Sequence, residues 1–150
     1  KGFTIRGVAK RCGIAPGTIF NYFASKEELI TTIMAKDWEN LLADIKKECD
    51  LATDIAVGVS VIYKGIESFV QKYELVCMDY PGNIISQFRK HHRSMHQQIT
   101  DILNTLLTRL NREEELSIIS IFAETILASS VQKDIDLPSL LKFTSRLFSS

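Results

Sequence analysis

Between Pro16 and Tyr22 the chain spaces four side chains that could read a polar surface. At about 100° per residue, Gly17, Asn21, Thr18 and Tyr22 fall in that order along one arc of a helix. Asn21 offers a donor and an acceptor and can pair with both polar atoms of an adenine edge. Thr18 can donate to a phosphate or lay its methyl against thymine. Gly17 lets the backbone come close, and Tyr22 can reach a phosphate oxygen. Pro16 suits the first helical position. Thr4, Ile5 and Arg6, where the preceding helix starts, are expected on the other flank of the groove. Lys26 opens the following helix, where free backbone N–H groups also favour an anion. The chemistry is hydrogen-bond readout of base edges between phosphate contacts.

Charge supports it. Residues 1–26 hold Lys1, Arg6, Lys10, Arg11 and Lys26 and no acid, a formal +5. The other 124 residues hold 13 basic and 18 acidic groups, a formal −5, so the zero net charge conceals a polarised chain. A locally basic helical module on a neutral protein is the electrostatic footprint of a duplex DNA reader.

The elements that hold these residues are helical. Thr4 is expected to cap a helix reaching Cys12, with Val8, Ala9 and Cys12 inward and Gly13 ending it. Ile14 is expected to fill the space before a second helix, Pro16 to about Phe23, whose face of Ile19, Phe20 and Phe23 packs inward. Ser25-Lys26-Glu27-Glu28 reads as a capping box. From it runs a long amphipathic helix carrying Leu29, Ile30, Ile33, Met34, Trp38, Leu41, Leu42 and Ile45, which joins the two halves. The spacing predicts another helix from Asp54 to Val76, interrupted in propensity by Gly58 and Gly65. Those glycines could permit close helix contact or leave room beside a ligand. Tyr80-Pro81-Gly82 marks a break. A helix to about His92 is expected next, then a separate stripe from Met95 to Leu110, then a polar hinge at 112–115. The fold class is all-α, with a helix-turn-helix domain at 1–46 and a larger ligand-binding and dimerisation domain at 47–150.

These residues resemble the TetR/AcrR family of bacterial transcriptional regulators. The resemblance runs through Phe3-Thr4-Ile5, Val8-Ala9, Gly13-Ile14, Gly17 to Phe23 and Ser25 to Leu29. It implies an all-helical homodimer that binds double-stranded operator DNA and dimerises through its last two helices. It also implies a repressor whose second domain takes an inducer. Phe20 stands where a phosphate-contacting Tyr is common, and Ala15 where a capping Ser or Asp is common. The chain begins at Lys1 rather than Met and reads as a fragment without the family's first helix.

The remaining expectations are bulk ones. Leu116 to Val131 is apolar on more than one face, so it must be covered twice, as a dimer surface or as the central core helix. The dimer reading assigns Ile118, Ile119, Phe122, Ile126, Leu140, Phe143 and Leu147. An apolar or aromatic effector is expected near Tyr63, Phe69, Tyr73, Met78, Phe88, Met95 and Phe122, each of which could equally be core. His92 and His96 sit one turn apart among Arg89, Lys90 and Arg93. That helix end could be solvated, could contact an acid or ligand, or could hold a metal. No spacing pairs a nucleophile with a base, so no enzyme is expected, and no cofactor or metal. Cys12, Cys49 and Cys77 read as reduced core thiols. With no apolar run near the roughly 20 residues of a bilayer span, a cytoplasmic protein without a membrane partner is expected. A helical ligand-binding protein or enzyme with a purely structural helix-turn-helix, or a regulator without an effector, are the alternatives.

Overall fold

The computed structural model describes residues 4–77 and 84–148, apart from the side chains of residues 75, 77, 84, 85, 87, 88 and 114–116. Those residues form α1 (Ile5–Cys12), α2 (Pro16–Phe20), α3 (Lys26–Leu51), α4 (Ile55–Cys77), α5 (Ile84–Arg109), a 3-10 segment (Glu113–Ile118), α6 (Ile119–Gln132) and α7 (Leu137–Leu147). No strand occurs among them. None of the described helices is long and apolar enough to cross a membrane.

Local chemistry sets the ends of α1. The Thr4 hydroxyl accepts from the Gly7 N–H at 3.1 Å. At the other end Gly13 takes φ +67°, and Ile14 N–H returns to the Ala9 carbonyl at 3.0 Å. That pairing satisfies carbonyls the helix would otherwise leave orphaned. It also turns Ile14 out to 43% exposure, not into the interhelical space. Cys12 is likewise exposed, because the last turn of a short helix has no partner on that side.

Helix α2 is shorter than its periodicity suggests. It stops at Phe20, with Asn21 as its C-cap still in right-handed helical geometry. Ala15 precedes it without a side-chain capping bond. Only Ile19 is buried on it, and Phe20 is 53% exposed. Five residues present one inward position, and the next residue round rolls off the contact. Ala9, Ile19 and Leu29 make a small core, with Ile5, Val8 and Phe23 packed around it.

The capping box holds α3. Ser25 Oγ accepts from Glu28 N–H at 3.0 Å, and Glu28 Oε2 accepts from Ala24 N–H at 2.6 Å. The return bond reaches one residue further back than the motif's usual form. Ser25→Ala is expected to cost about 1 kcal/mol, measured by urea unfolding; an unchanged midpoint would mean that the cap is dispensable.

The larger core lies among α3 to α7. Gly58 and Gly65 mark close approaches: a Cβ at 58 would stand 2.3 Å from Leu106 Cδ2, and one at 65 would stand 3.0 Å from Ile45 Cδ1. Here the glycines serve helix contact. Helix α5 runs unbroken through His92 to Met95, where the sequence suggested two helices. Residues 89–98 contain neither proline nor glycine, so nothing there stops a helix. It ends at Arg109, and Asn111 just beyond takes φ +56°, which allows Arg112 N–H to bond Leu107 O at 2.9 Å.

Helix α6 is wedged against α4, α5 and α7. Ile119, Phe122 and Ile126 on α6, and Leu140 on α7, are all at most 4% exposed in the single protomer. They form its core and are not available as the dimer surface to which the sequence assigned them. The outward side of this pair carries Ile121, 73% exposed, and Phe143, 47% exposed, with Ile118 and Leu147 half-buried.

Candidate nucleic-acid interface and its coupled cavity

The predicted reading residues gather on one open surface. Pro16, Gly17 and Asn21 are exposed, Tyr22 is 77% exposed and Thr18 half-buried. A Cβ on Gly17 would meet no atom within 4 Å, so nothing inside the protein demands a glycine there. The cations Arg6, Lys10 and Arg11 are exposed, and Lys26 is half-buried at the start of α3. Thr4 accepts from Gly7 and keeps its own O–H to donate.

Two assignments change. Ile5 packs partly against the small core, so its side chain is half-buried while its backbone lies at the helix start. Phe20 belongs to the outward surface beside Asn21. An exposed phenyl can rest on a thymine methyl.

The 26-residue α3 then leads from this module into the larger core. Helix α3 contributes Leu29 to the small core and, within three turns, Met34 and Trp38 to a cavity of about 210 Å³. Phe69 on α4 and Met95 on α5 complete its apolar wall. Trp38 Nε1 donates to Gln98 Oε1 at 2.8 Å, and the Trp38 and Phe69 rings meet edge-on at 5.4 Å.

Of the predicted effector residues, Phe69 and Met95 line this cavity. Tyr63, Tyr73 and Phe122 do not. Tyr63 donates to the Ile135 carbonyl at 3.3 Å, and its burial pushes the phenol pKa up. Tyr73 and Lys72 both hydrogen-bond Asp37, and these bonds, from Lys72 first, hold its carboxyl below the ordinary value. Phe122 stacks edge-on with Phe148 at 5.1 Å. Met78 and the Phe88 side chain lie outside the described residues. Sequence reading had Met34 and Trp38 only as core stripe and passed over Gln98.

The histidine pair resolves into an acidic contact. His92 Nε2 lies 3.0 Å from Glu124 Oε1, and His96 Nε2 lies 2.8 Å from the Ser120 carbonyl, tying α5 to α6. Among the described residues, no three His, Cys, Asp or Glu side chains are grouped to hold a metal. Burial raises the Cys49 thiol to about 11, so it is an inert core group.

An exposed polar arc on a cationic, acid-free helix-turn-helix invites comparison with known DNA readers. Residues 1–33 match the family model "Bacterial regulatory proteins, tetR family". The N-terminal module is thus similar to that of the TetR family. Similarity to curated regulators continues beyond the module. The HTH-type transcriptional regulator UidR of Escherichia coli (strain K12) is 26% identical over 115 residues, covering 76% of this chain and 59% of that protein. The fatty acid metabolism regulator protein of Bacillus subtilis (strain 168) is 26% identical over 110 residues, covering 69% and 52%. The chain thus spans between half and three fifths of these relatives. No solved structure matches it significantly.

Proposed function

We propose that the protein is a DNA-binding transcriptional regulator of the TetR type, a repressor that a small-molecule effector releases from a palindromic operator. The observation that carries this is the course of α3. One rigid helix anchors the DNA-reading module through Leu29 and walls a cavity through Met34 and Trp38. A ligand that prefers one tilt of α3 therefore biases the position of the reading surface.

One five-residue reading helix contacts too little DNA for tight, specific binding. A homodimer presents two, and its half-sites must lie about 34–36 Å apart, or a multiple of that, along the groove. The exposed Ile121 and Phe143, with half-buried Ile118 and Leu147, supply an apolar side on α6 and α7 for a second copy. A small change in tilt mismatches both half-sites at once.

Thr4, Arg6, Pro16, Gly17, Thr18, Phe20, Asn21, Tyr22 and Lys26 are the proposed contacts. Fluorescence anisotropy of the native protein on DNA flanking its own gene, at two salt concentrations, tests the reading. Lys26→Ala is expected to weaken binding to every sequence and to lower the salt slope by about 1. Salt-independent binding, or none to any duplex, would overturn the function.

A further inference from the structure

We propose that the cavity between α3, α4 and α5 takes an amphipathic monoanion, its apolar body inside and its anionic head on a cationic ledge of α5. This rests on reading that cavity as the effector site and adds the ligand's chemistry.

The ledge is a feature the DNA-reading surface does not use. Residues 84–100 contain no Asp or Glu, but hold Arg89, Lys90 and Arg93 and three histidines. Two of those histidines turn toward α6, to Glu124 and Ser120. Lys90, His91 and Arg93 do not: they line an open groove with Ser94, Gln97 and Gln98. That groove shares His91, Ser94 and Gln98 with the cavity, so the apolar interior opens directly onto it. Among the described residues, Lys90, His91 and Arg93 have no ion-pair or hydrogen-bond partner.

The mouth is rich in donors. Gln98 Oε1 is occupied by Trp38, which leaves the Gln98 amide N–H groups to donate. The Ser94 hydroxyl stands beside it. The one carboxylate on the cavity lining, Glu39, is paired with Lys36 at 3.1 Å, so it offsets little of the positive ledge. Donors and uncompensated cations at the mouth of an apolar chamber complement a carboxylate, sulfonate or sulfate ester and suit a neutral oil less well. An apolar cavity of about 150 Å³ admits benzene. The present one, about 210 Å³, fits a body somewhat larger.

Trp38 is the chain's single tryptophan and lines the cavity, so its emission reports occupancy. The native protein is titrated with octanoate and, separately, with octan-1-ol, following Trp38 fluorescence and Tm. Octanoate is expected to bind at least tenfold tighter than the alcohol. The double variant Lys90→Gln/Arg93→Gln is expected to abolish that advantage and leave octan-1-ol binding unchanged. Equal affinity for acid and alcohol would overturn the anionic class while sparing the effector cavity. Silence toward both would take down the cavity reading as well. If the double variant binds octanoate normally but loses affinity for DNA in anisotropy, the ledge is a phosphate contact and the proposal fails.

Discussion

Phe122→Ala lowers the unfolding free energy by about 3–5 kcal/mol, a large share of what a domain this size has to lose. Phe122 is 2% exposed, on a helix that touches α4, α5 and α7. Its ring meets Phe148 at 5.1 Å and Phe143 at 6.3 Å, so truncation opens a cavity that rigid helices on three sides cannot collapse to fill. Ile121, the next residue, is 73% exposed. Ile121→Ser is expected to change protomer stability by no more than about 0.5 kcal/mol. Urea unfolding at two protein concentrations measures both, because association through the Ile121 side would appear as concentration dependence. A loss below about 1 kcal/mol for Phe122→Ala would mean that α6 faces a partner and not its own core.

Asn21→Ala is expected to cost about 1–3 kcal/mol of operator affinity, some 5- to 150-fold, and to relax preference at one base pair of each half-site. Asn21 is exposed and its side chain makes no hydrogen bond among the described residues, so removing it leaves the fold intact. The signature is therefore a changed base preference at unchanged Tm. Competition anisotropy against single-base operator variants reads it. Undiminished affinity with unchanged preference would move the reading face elsewhere, with Phe20 and Tyr22 the next residues to test. The contrast with Lys26→Ala separates the two roles. A phosphate contact weakens all sequences alike, whereas a base contact discriminates.

The two effects divide the molecule as its sequence does. Thr4, Gly13, Ser25 and Glu28 announce where helices begin and end, because caps are satisfied by the side chain and backbone of near neighbours. The exposed side of Gly17 and Asn21 was legible for the same reason, because they lie about one turn apart on α2 and its C-cap, whereas Tyr22 falls beyond the helix end. Even there the local signal overran. The apolar face of Ile19, Phe20 and Phe23 suggested a longer helix with an inward phenyl, but a helix of five residues has one residue to bury. Nothing in the run says how close the next helix will stand.

What lay outside the sequence was partnership across the fold. The apolar residues of Leu116–Val131 show that the helix is covered on more than one side, but hydropathy carries no label for whose atoms do the covering. In the structure Ile119, Phe122 and Ile126 are buried within their own protomer and Ile121 is left mostly exposed. The cavity is a matter of the same kind. Met34, Trp38, Phe69, Met95 and Gln98 come from three helices up to 64 residues apart; the four apolar ones each read as core alone, and Gln98 carries no signal of its own. The void among them arises from the distances at which α3, α4 and α5 pack, which depend on Gly58, Gly65 and every side chain between the axes. Hydrogen bonds and angular spacing within a few residues are written into the chain. The sharing of buried area among distant helices is settled only when they dock, because burial is a property of neighbours and not of the residue itself.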